Sequence, residues 1–504
     1  MKLKKSLLTC AIAVALSSSF VAQANIDDKN QSSSVLASQV SSTAVGNVLT
    51  IEQTSLQGIG NDVMVTQQGD GLEANVTSLG DNNSITVDQK QLQNLSLTYT
   101  TGDNNTLNHS QDGEFNGALS EITGNDNTVT VAQYGTGFFG INNEAINVVQ
   151  GDSNDIAVTQ QDGGHWFYNF DLQGSGNQIT ASQAGLLNEA TLSLISGDEN
   201  TIEVTQNGLF NAFTLNELVG SANEVVIDQD GNFNAVTALS MRGDDSSLEI
   251  EQAGDSNTAS FAAVEGNDND LAIDQEGDSN TFTSELFAGN DNQVAVAQQQ
   301  DNNQVGADVL GDNNELTVMQ NGSMNETYLG TIGADNEFSS IQIGNQNSAH
   351  IANFNGDGND VDLTQAGDMN TALIQSSYPD TSLTSNDNDI NINQLGSTNE
   401  ATITFASVID SNNNTVDFVQ SGDLNAIDLV MEGSNHSIDI AQQGDMNMVA
   451  GIDGGAFVVG GDNINFEVSQ VGNGNLVEGY ITNSNSSVII TQVGDYNTAT
   501  VTQE

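Results

Sequence analysis

The stretch Asp198-Glu-Asn-Thr-Ile-Glu-Val-Thr-Gln-Asn-Gly-Leu-Phe-Asn211 decides how the rest of the chain is read. After Asn200, Ile202, Val204 and Gln206 follow at steps of two, and then Gly208 and Asn211. That alternation predicts a half-buried β-strand, and the Gly and Asn predict a tight turn behind it. Forward steps of 23 residues from Gln206 reach Gln229, Gln252, Gln275 and Gln298, and backward steps reach Gln183 and Gln160. Self-similarity at such a period is the mark of a solenoid or an array.

Extended over the chain, the same glutamine stands at Gln67, Gln89, Gln111, Gln133, Gln160, Gln183, Gln206, Gln229, Gln252, Gln275, Gln298, Gln320, Gln342, Gln365, Gln394, Gln420, Gln442, Gln470 and Gln492. The unit is G-x-x-N-x-Φ-x-Φ-x-Q-x-G-x-x-N-x-Φ-x-Φ, with Φ mostly Val, Ile, Leu, Phe or Ala: two short strands and two turns. Two strands cannot bury an apolar face alone. Stacking the next unit at the ~4.8 Å strand spacing buries it and pairs the backbone above and below. The expectation is an all-β solenoid of about twenty strand-turn-strand coils, roughly 100 Å of stack, with two facing parallel sheets about 10 Å apart. So thin an interior suits the small side chains and the 5% aromatic content.

Identical amides stacked in register can bond to the copies above and below. Flanked by inward Φ positions at steps of two, the glutamines are expected to form an inward ladder rather than lie on the solvated face. The turn positions expected to work with it are Gly208 and Asn211, Gly254 and Asn257, Gly277 and Asn280, Gly367 and Asn370, Gly444 and Asn447, and Gly494 and Asn497. Asn beside Gly reads partly as a turn residue, because it tolerates left-handed geometry.

Residues 1–24 read as a secretory signal peptide: Lys2, Lys4 and Lys5, an apolar run from Leu7 to Leu16, and Ala22-Gln-Ala24 as a cleavage site. Cys10 sits inside the apolar run rather than at its end, so a lipoprotein cysteine is not the preferred reading. It is the only cysteine, which leaves the mature chain without disulfides. Residues 25–46 read as a largely flexible leader, with Val35, Ala37 and Gln39 as a degenerate strand at most. Asn47-Leu49-Ile51-Gln53 is the first convincing half-repeat, so the solenoid is expected over 47–504. The final half-repeat closes at Gln503, which favours stacking over a capped end.

The formal charge is −61, and the mature chain keeps only Lys29, Lys90 and Arg242 against 67 acidic residues. Such a surface disfavours nucleic acid and anionic membranes as partners. Low hydrophobicity with high charge suits disorder, but disorder does not hold apolar residues at fixed phases. No stretch after the signal is long and apolar enough to span a bilayer.

Longer steps between glutamines mark insertions: Thr136 to Ile141, Ser376 to Thr381 with the lone Pro379, a stretch before Gln420, and Gly451 to Gly455. His165-Trp-Phe-Tyr-Asn-Phe170 holds the only tryptophan. Alternation cannot bury every ring there, so a local register slip or cap is favoured over an exposed contact patch.

The pattern contains no catalytic constellation. His109, His165, His350 and His436 lie in different coils without ligand spacing, and no carboxylate cluster suggests a carbohydrate-acting β-helix enzyme. Gly-Asp recurs at one turn (Asp81, Asp103, Asp152, Asp198, Asp312, Asp357) and at the other (Asp255, Asp278, Asp368, Asp423, Asp445, Asp495). Like charges about 5 Å apart repel by the order of 1 kcal/mol in water. The expectation is diffuse divalent-cation screening, or carboxylates that slow premature aggregation, rather than built metal sites. No other cofactor is expected.

The unit resembles the curlin repeat, S-x5-Q-x-G-x-G-N-x-A-x3-Q. Its Q-x-G-x-x-N core stands at Gln111/Gly113/Asn116, Gln252/Gly254/Asn257, Gln275/Gly277/Asn280, Gln365/Gly367/Asn370, Gln442/Gly444/Asn447 and Gln492/Gly494/Asn497. The last copy also keeps the closing residues at Ala499 and Gln503. The resemblance implies a secreted subunit of a curli-like functional amyloid fibre serving adhesion and biofilm matrix. It implies export through an outer-membrane pore with periplasmic accessory proteins, and polymerisation with a nucleator subunit. The chain departs from the family in its far larger number of repeats, its acidity, and the loss of the closing glutamine, where Ser196, Glu217, Ser240 and Ala263 are read as replacements. The competing reading is a non-polymerising acidic surface rod or adhesin that binds divalent cations or a host or matrix partner.

Overall fold

The computed structural model describes residues 21–28, 34–41, 46–55, 59–136, 142–240, 242, 244, 246–263, 265–285, 288–308, 310–352, 354–376, 382–406 and 408–504. Most of the expected signal peptide, and the insertions at 137–141 and 377–381, lie outside them. The chain forms two compact units, Met1–Gln252 and Ala253–Glu504.

Each unit is a parallel β-solenoid, and the repeat explains why. In the first unit, strand Thr201–Leu209 pairs with Gln178–Leu186 on one side and Glu224–Asn232 on the other. Every residue there faces the residue one repeat away: Ile179, Ile202 and Val225 align, as do Gln183, Gln206 and Gln229. After the turn, Ala212–Leu218 pairs in the same way with Glu189–Ile195 and Ala235–Leu239, forming a second parallel sheet. Ile202 and Val204 from one sheet, and Phe213 and Leu215 from the other, are fully buried. The second unit repeats the scheme. Asp270–Glu276 pairs with Gln293–Gln299, and Thr281–Glu285 with Gln304–Asp308, burying Leu271, Ile273 and Phe282. Among the described residues there is no α-helix, only one 3-10 turn at Ile452–Gly454.

Coils extend into the segment read as leader. Ser34–Val40 pairs with Asp62–Asp70, and Gln39 Nε2 donates to Gln67 Oε1 at 2.6 Å. Val21–Asp28, which straddles the expected cleavage site, pairs with Val48–Ser55. The segment lacks strong apolar phases, so backbone pairing to the next coil, rather than its own side chains, gives it strand structure.

The insertion at Gly451–Gly455 shows how extra residues are tolerated. Strand Ala426–Glu432 pairs first with Met448–Ala450 and then, from Leu429, with Phe457–Gly460. The residues between leave the ladder in a short loop closed by the Gly451 N–H donating to the Gly455 carbonyl at 2.6 Å. The register resumes without loss, because each strand pair is held independently of the loop.

The aromatic stretch contains a register slip. Opposite Glu144–Gln150, Asn147 faces Asn169 but Val149 faces Leu172, so Phe170 and Asp171 together oppose Val148. Asp171 takes φ 66°, the left-handed twist of a bulge. Phe167 points into the core, while Tyr168 joins Leu95, Ile146 and Val148 in a separate cluster edged by Trp166 and Phe170.

The assignment of Ser196 to the closing-glutamine position is corrected by register. Ser193 faces Asn216 and Ile195 faces Leu218, so Leu194 is the residue opposite Glu217, while Ser196 bridges to Gln173. Leu194, Glu217, Ser240 and Ala263 all have φ between 60° and 73°, so a local bulge takes this position out of the alternation. In other coils the same position faces inward as Ile122, Ser376, Phe405, Met431 and Ile481, all buried. Mostly apolar filling, with Ser376 the polar member of this set, stands in place of a second amide ladder.

Candidate functional site: the stacked amide ladders

The site is a repeated side-chain arrangement rather than a pocket. It begins with the inward glutamine of each first strand. In the first unit Nε2 of Gln67, Gln89, Gln111, Gln133, Gln160, Gln183, Gln206 and Gln229 each donates to Oε1 of the next glutamine, ending at Gln252, at 2.8–2.9 Å. In the second unit the chain of bonds runs Gln275, Gln298, Gln320, Gln342, Gln365, Gln394, Gln420, Gln442, Gln470, Gln492 at 2.8–3.0 Å. The amide's second proton goes across the coil to a backbone carbonyl, as from Gln206 to Glu189 and from Gln342 to Glu326, both 3.0 Å. A primary amide buried this deeply costs several kcal/mol unless its donors and acceptor are matched. Here both neighbouring coils match them, and the bonds all run one way along the stack.

Gly208 has φ 120°, and a Cβ there would lie 1.8 Å from the Gly231 carbonyl oxygen of the next coil. Glycine is therefore required by close approach as well as by dihedral. Asn211 is buried, accepts no strain, and forms a second ladder. Its N–H donates to Asn188 Oδ1 at 3.0 Å, and its own Oδ1 accepts the N–H of Asn234 at 3.0 Å. Its Nδ2 reaches the Gly231 carbonyl at 2.9 Å. Asn257, Asn280, Asn370, Asn447 and Asn497 bond in the same manner. Left-handed tolerance is not what selects Asn at these positions. The positive φ belongs to the residue before it: Phe210, Ser256, Ser279, Met369, Met446 and Tyr496.

The turn carboxylates have a partner that sequence reasoning missed. Asp278 Oδ1 accepts the N–H of Asp255 at 2.8 Å, Asp301 that of Asp278 at 3.0 Å, and Asp445 that of Asp423 at 3.0 Å. In the first unit Asp103 accepts the N–H of Asp81 at 2.7 Å. Each acid thus caps a backbone donor of the preceding coil, a charge-assisted bond that offsets row repulsion. On the outer strand faces carboxylates also stack in register, as Glu337, Asp360 and Asp389 do in successive coils. Desolvation, then the neighbouring charges of Asp362, Glu337 and Asp389, hold the Asp360 carboxyl above its ordinary range. Asp417 is raised by burial and by Asp439 and Asp389. Among the described residues no group of three or more His, Cys, Asp or Glu side chains is arranged to hold a metal ion.

The histidines are rungs and core residues. His165 and His436 occupy ladder positions that other coils give to Asn. Each donates its N–H to the preceding Asn and accepts the next coil's N–H at Nδ1, 3.3 Å from Asn188 and Ile464 respectively. Nε2 then donates to the carbonyl four residues back, Gln161 at 2.7 Å and Glu432 at 3.1 Å. Imidazole thereby reproduces the acceptor and donor of an amide. His109 lies in the core between Ser96 Oγ at 2.9 Å and Ser120 Oγ at 2.8 Å, and burial lowers its pKa to about 3. His350 stacks on Tyr328. A count of residues between histidines could not find these roles; alignment of each one to the repeat could.

Comparison with known families places the curlin associated repeat on this chain at residues 58–90, 102–135, 243–281 and 311–339. A search among curated proteins gives no match. Among the described residues no helix is long and apolar enough to cross a membrane.

Proposed function

We propose that this chain, which the curlin associated repeat matches at four places, is a secreted structural subunit of a curli-like extracellular fibre, supporting adhesion and biofilm matrix. The observation that carries the proposal is the interchangeability of its coils. Most coils offer the backbone pattern, the Gln donor and acceptor, and the Asn rung that their neighbours offer, so a coil of a second copy is an equivalent partner. Parallel stacking of identical segments with amide ladders is also the physics of stable cross-β assembly. The one-way run of the Gln bonds makes the stacking head-to-tail, and a heterologous contact of that kind grows open filaments.

On this reading the partners are further copies of the chain, a nucleator subunit, an outer-membrane export pore and periplasmic accessory proteins. Divalent cations act as diffuse screening for the outer carboxylate rows. The test is to release the chain from Asn25 onward from denaturant at low concentration and follow thioflavin fluorescence and fibre diffraction. A lag, seeding, and reflections near ~4.7 and ~10 Å support the fibre. A β-rich species that stays monomeric with and without calcium sinks it and leaves the acidic rod.

A further inference from the structure

Both turns of the coil contain a left-handed residue, and the two turns fill it differently. In the turn before the Gln strand the position is Asn82, Asn104, Asp126, Ser153, Gly176, Glu199 and Ala222 in the first unit. In the turn after it, the same unit has Gly71, Gln93, Phe115, Gly164, Leu187, Phe210 and Phe233, the bulky apolar ones at φ 59–62°. Asn, Asp and Gly enter this region readily, while a bulky apolar residue there is uncommon and strained. Phe210 and Phe233 do not offset that cost by burial: they are 46% and 57% exposed, and Leu209 beside them is 36% exposed. Their rings stack face to face, 5.2 Å apart and 7° from parallel. Leu186, half-buried, continues the strip one coil earlier, while Leu187 turns into the core.

We propose that this strip, Leu186, Leu209, Phe210 and Phe233, is a lateral self-association surface that pairs with the same strip of a second copy. Charge selects the occupant. The turns Gly185–Leu187, Gly208–Phe210 and Gly231–Phe233 contain no charged residue in a chain of net charge −61. A cationic partner would be drawn to the carboxylate rows instead. Two copies meeting through the carboxylate rows bring like charges together, whereas this edge, flanked by Asp162 and Asp230, lets them meet apolar to apolar. Matching periods add a second reason: two copies of one strip share the same rise per coil, so their rings interdigitate in register. The exposed area is roughly 300 Å² per copy, below the ~800 Å² per partner of a stable dimer. The pairing is therefore weak between single chains and multiplies along stacked ones. That amplification rests on the fibre reading, but the pairing does not.

The experiment is sedimentation of the freshly diluted full chain, read before any fibre lag ends, together with its denaturant midpoint. Failure to form fibres leaves this readout intact. For Phe210→Asn with Phe233→Asn, the residue the opposite turn prefers, association is expected to weaken by at least about tenfold. The unfolding midpoint should hold or rise, because Asn relieves the left-handed cost. Raised salt should strengthen association of the parent chain. Unchanged association in the Asn variant overturns the proposal. If the midpoint falls instead, Leu at both positions separates the roles, since it keeps an apolar strip without the ring stack: persistent association supports the surface, and lost association overturns it.

Discussion

The backbone N–H of Asn188 donates to Nδ1 of His165, 3.3 Å away, at a rung where other coils supply an Asn oxygen. Protonation would turn that acceptor into a donor facing a donor. Burial lowers the His165 pKa, with partial opposition from its bond to Gln161 and from Asp162. A lowered folded pKa means that this rung's stability is complete above the unfolded value near 6.5 and is lost as pH falls below it. His165→Asn should remove the dependence. The measurement is protection of the Asn188 amide against hydrogen exchange at matched pH. Equal acid sensitivity in parent and variant would contradict the assignment.

His109 carries the larger effect. With a folded pKa of about 3 against about 6.5 unfolded, it withholds on the order of 5 kcal/mol of stability once the pH is well below 3, and less at pH 4 to 5. His109→Val adopts the residue of both adjacent coils, Val87 and Val131. The variant loses hydrogen bonds to Ser96 and Ser120, about 1–3 kcal/mol at neutral pH. Its denaturant midpoint should nevertheless fall less than the parent's between pH 7 and pH 4.

Asn147 and Asn169 face each other in adjacent coils, buried, and none of their four amide atoms has a hydrogen-bond partner. Asn169→Leu, matching Leu192 one coil on, should stabilise the chain by about 1–3 kcal/mol. An unchanged or lower unfolding free energy would show that the pair is satisfied in solution.

Gln206→Leu keeps the volume but removes the donor to Glu189 and to Gln229. The expected loss is about 1–3 kcal/mol from orphaned polar groups. Gly208→Ala should cost at least as much, because its Cβ would meet backbone rather than a movable side chain. Both are read from denaturant unfolding, with Thr205→Ala on the outer face as a reference expected within ~0.5 kcal/mol.

Carboxylate rows such as Asp360 with Glu337 and Asp389 predict a rise in the unfolding midpoint with monovalent salt, most of it gained as the Debye length falls towards ~10 Å. Calcium at equal ionic strength should act as a modestly better screen, without the saturation of a built site.

The period, the two-strand coil, the inward Gln and the Gly turn were legible in the sequence, because a solenoid repeats one local rule and each residue's environment is set by its phase. Phase alone placed Gln206 in line with Gln229 and Gly208 in the turn behind it. What phase could not supply was anything that depends on the neighbouring coil. That Asp278 caps the N–H of Asp255, that His165 stands in for Asn, and that the left-handed φ falls on Phe210 rather than Asn211 are contacts or dihedrals fixed by stacking. The bulge at Phe170–Asp171 and the continuation of pairing into Ser34–Val40 belong to the same class. Local pattern fixes which face a side chain takes, while hydrogen-bond partners across 22 or 23 residues exist only once the coils lie on one another.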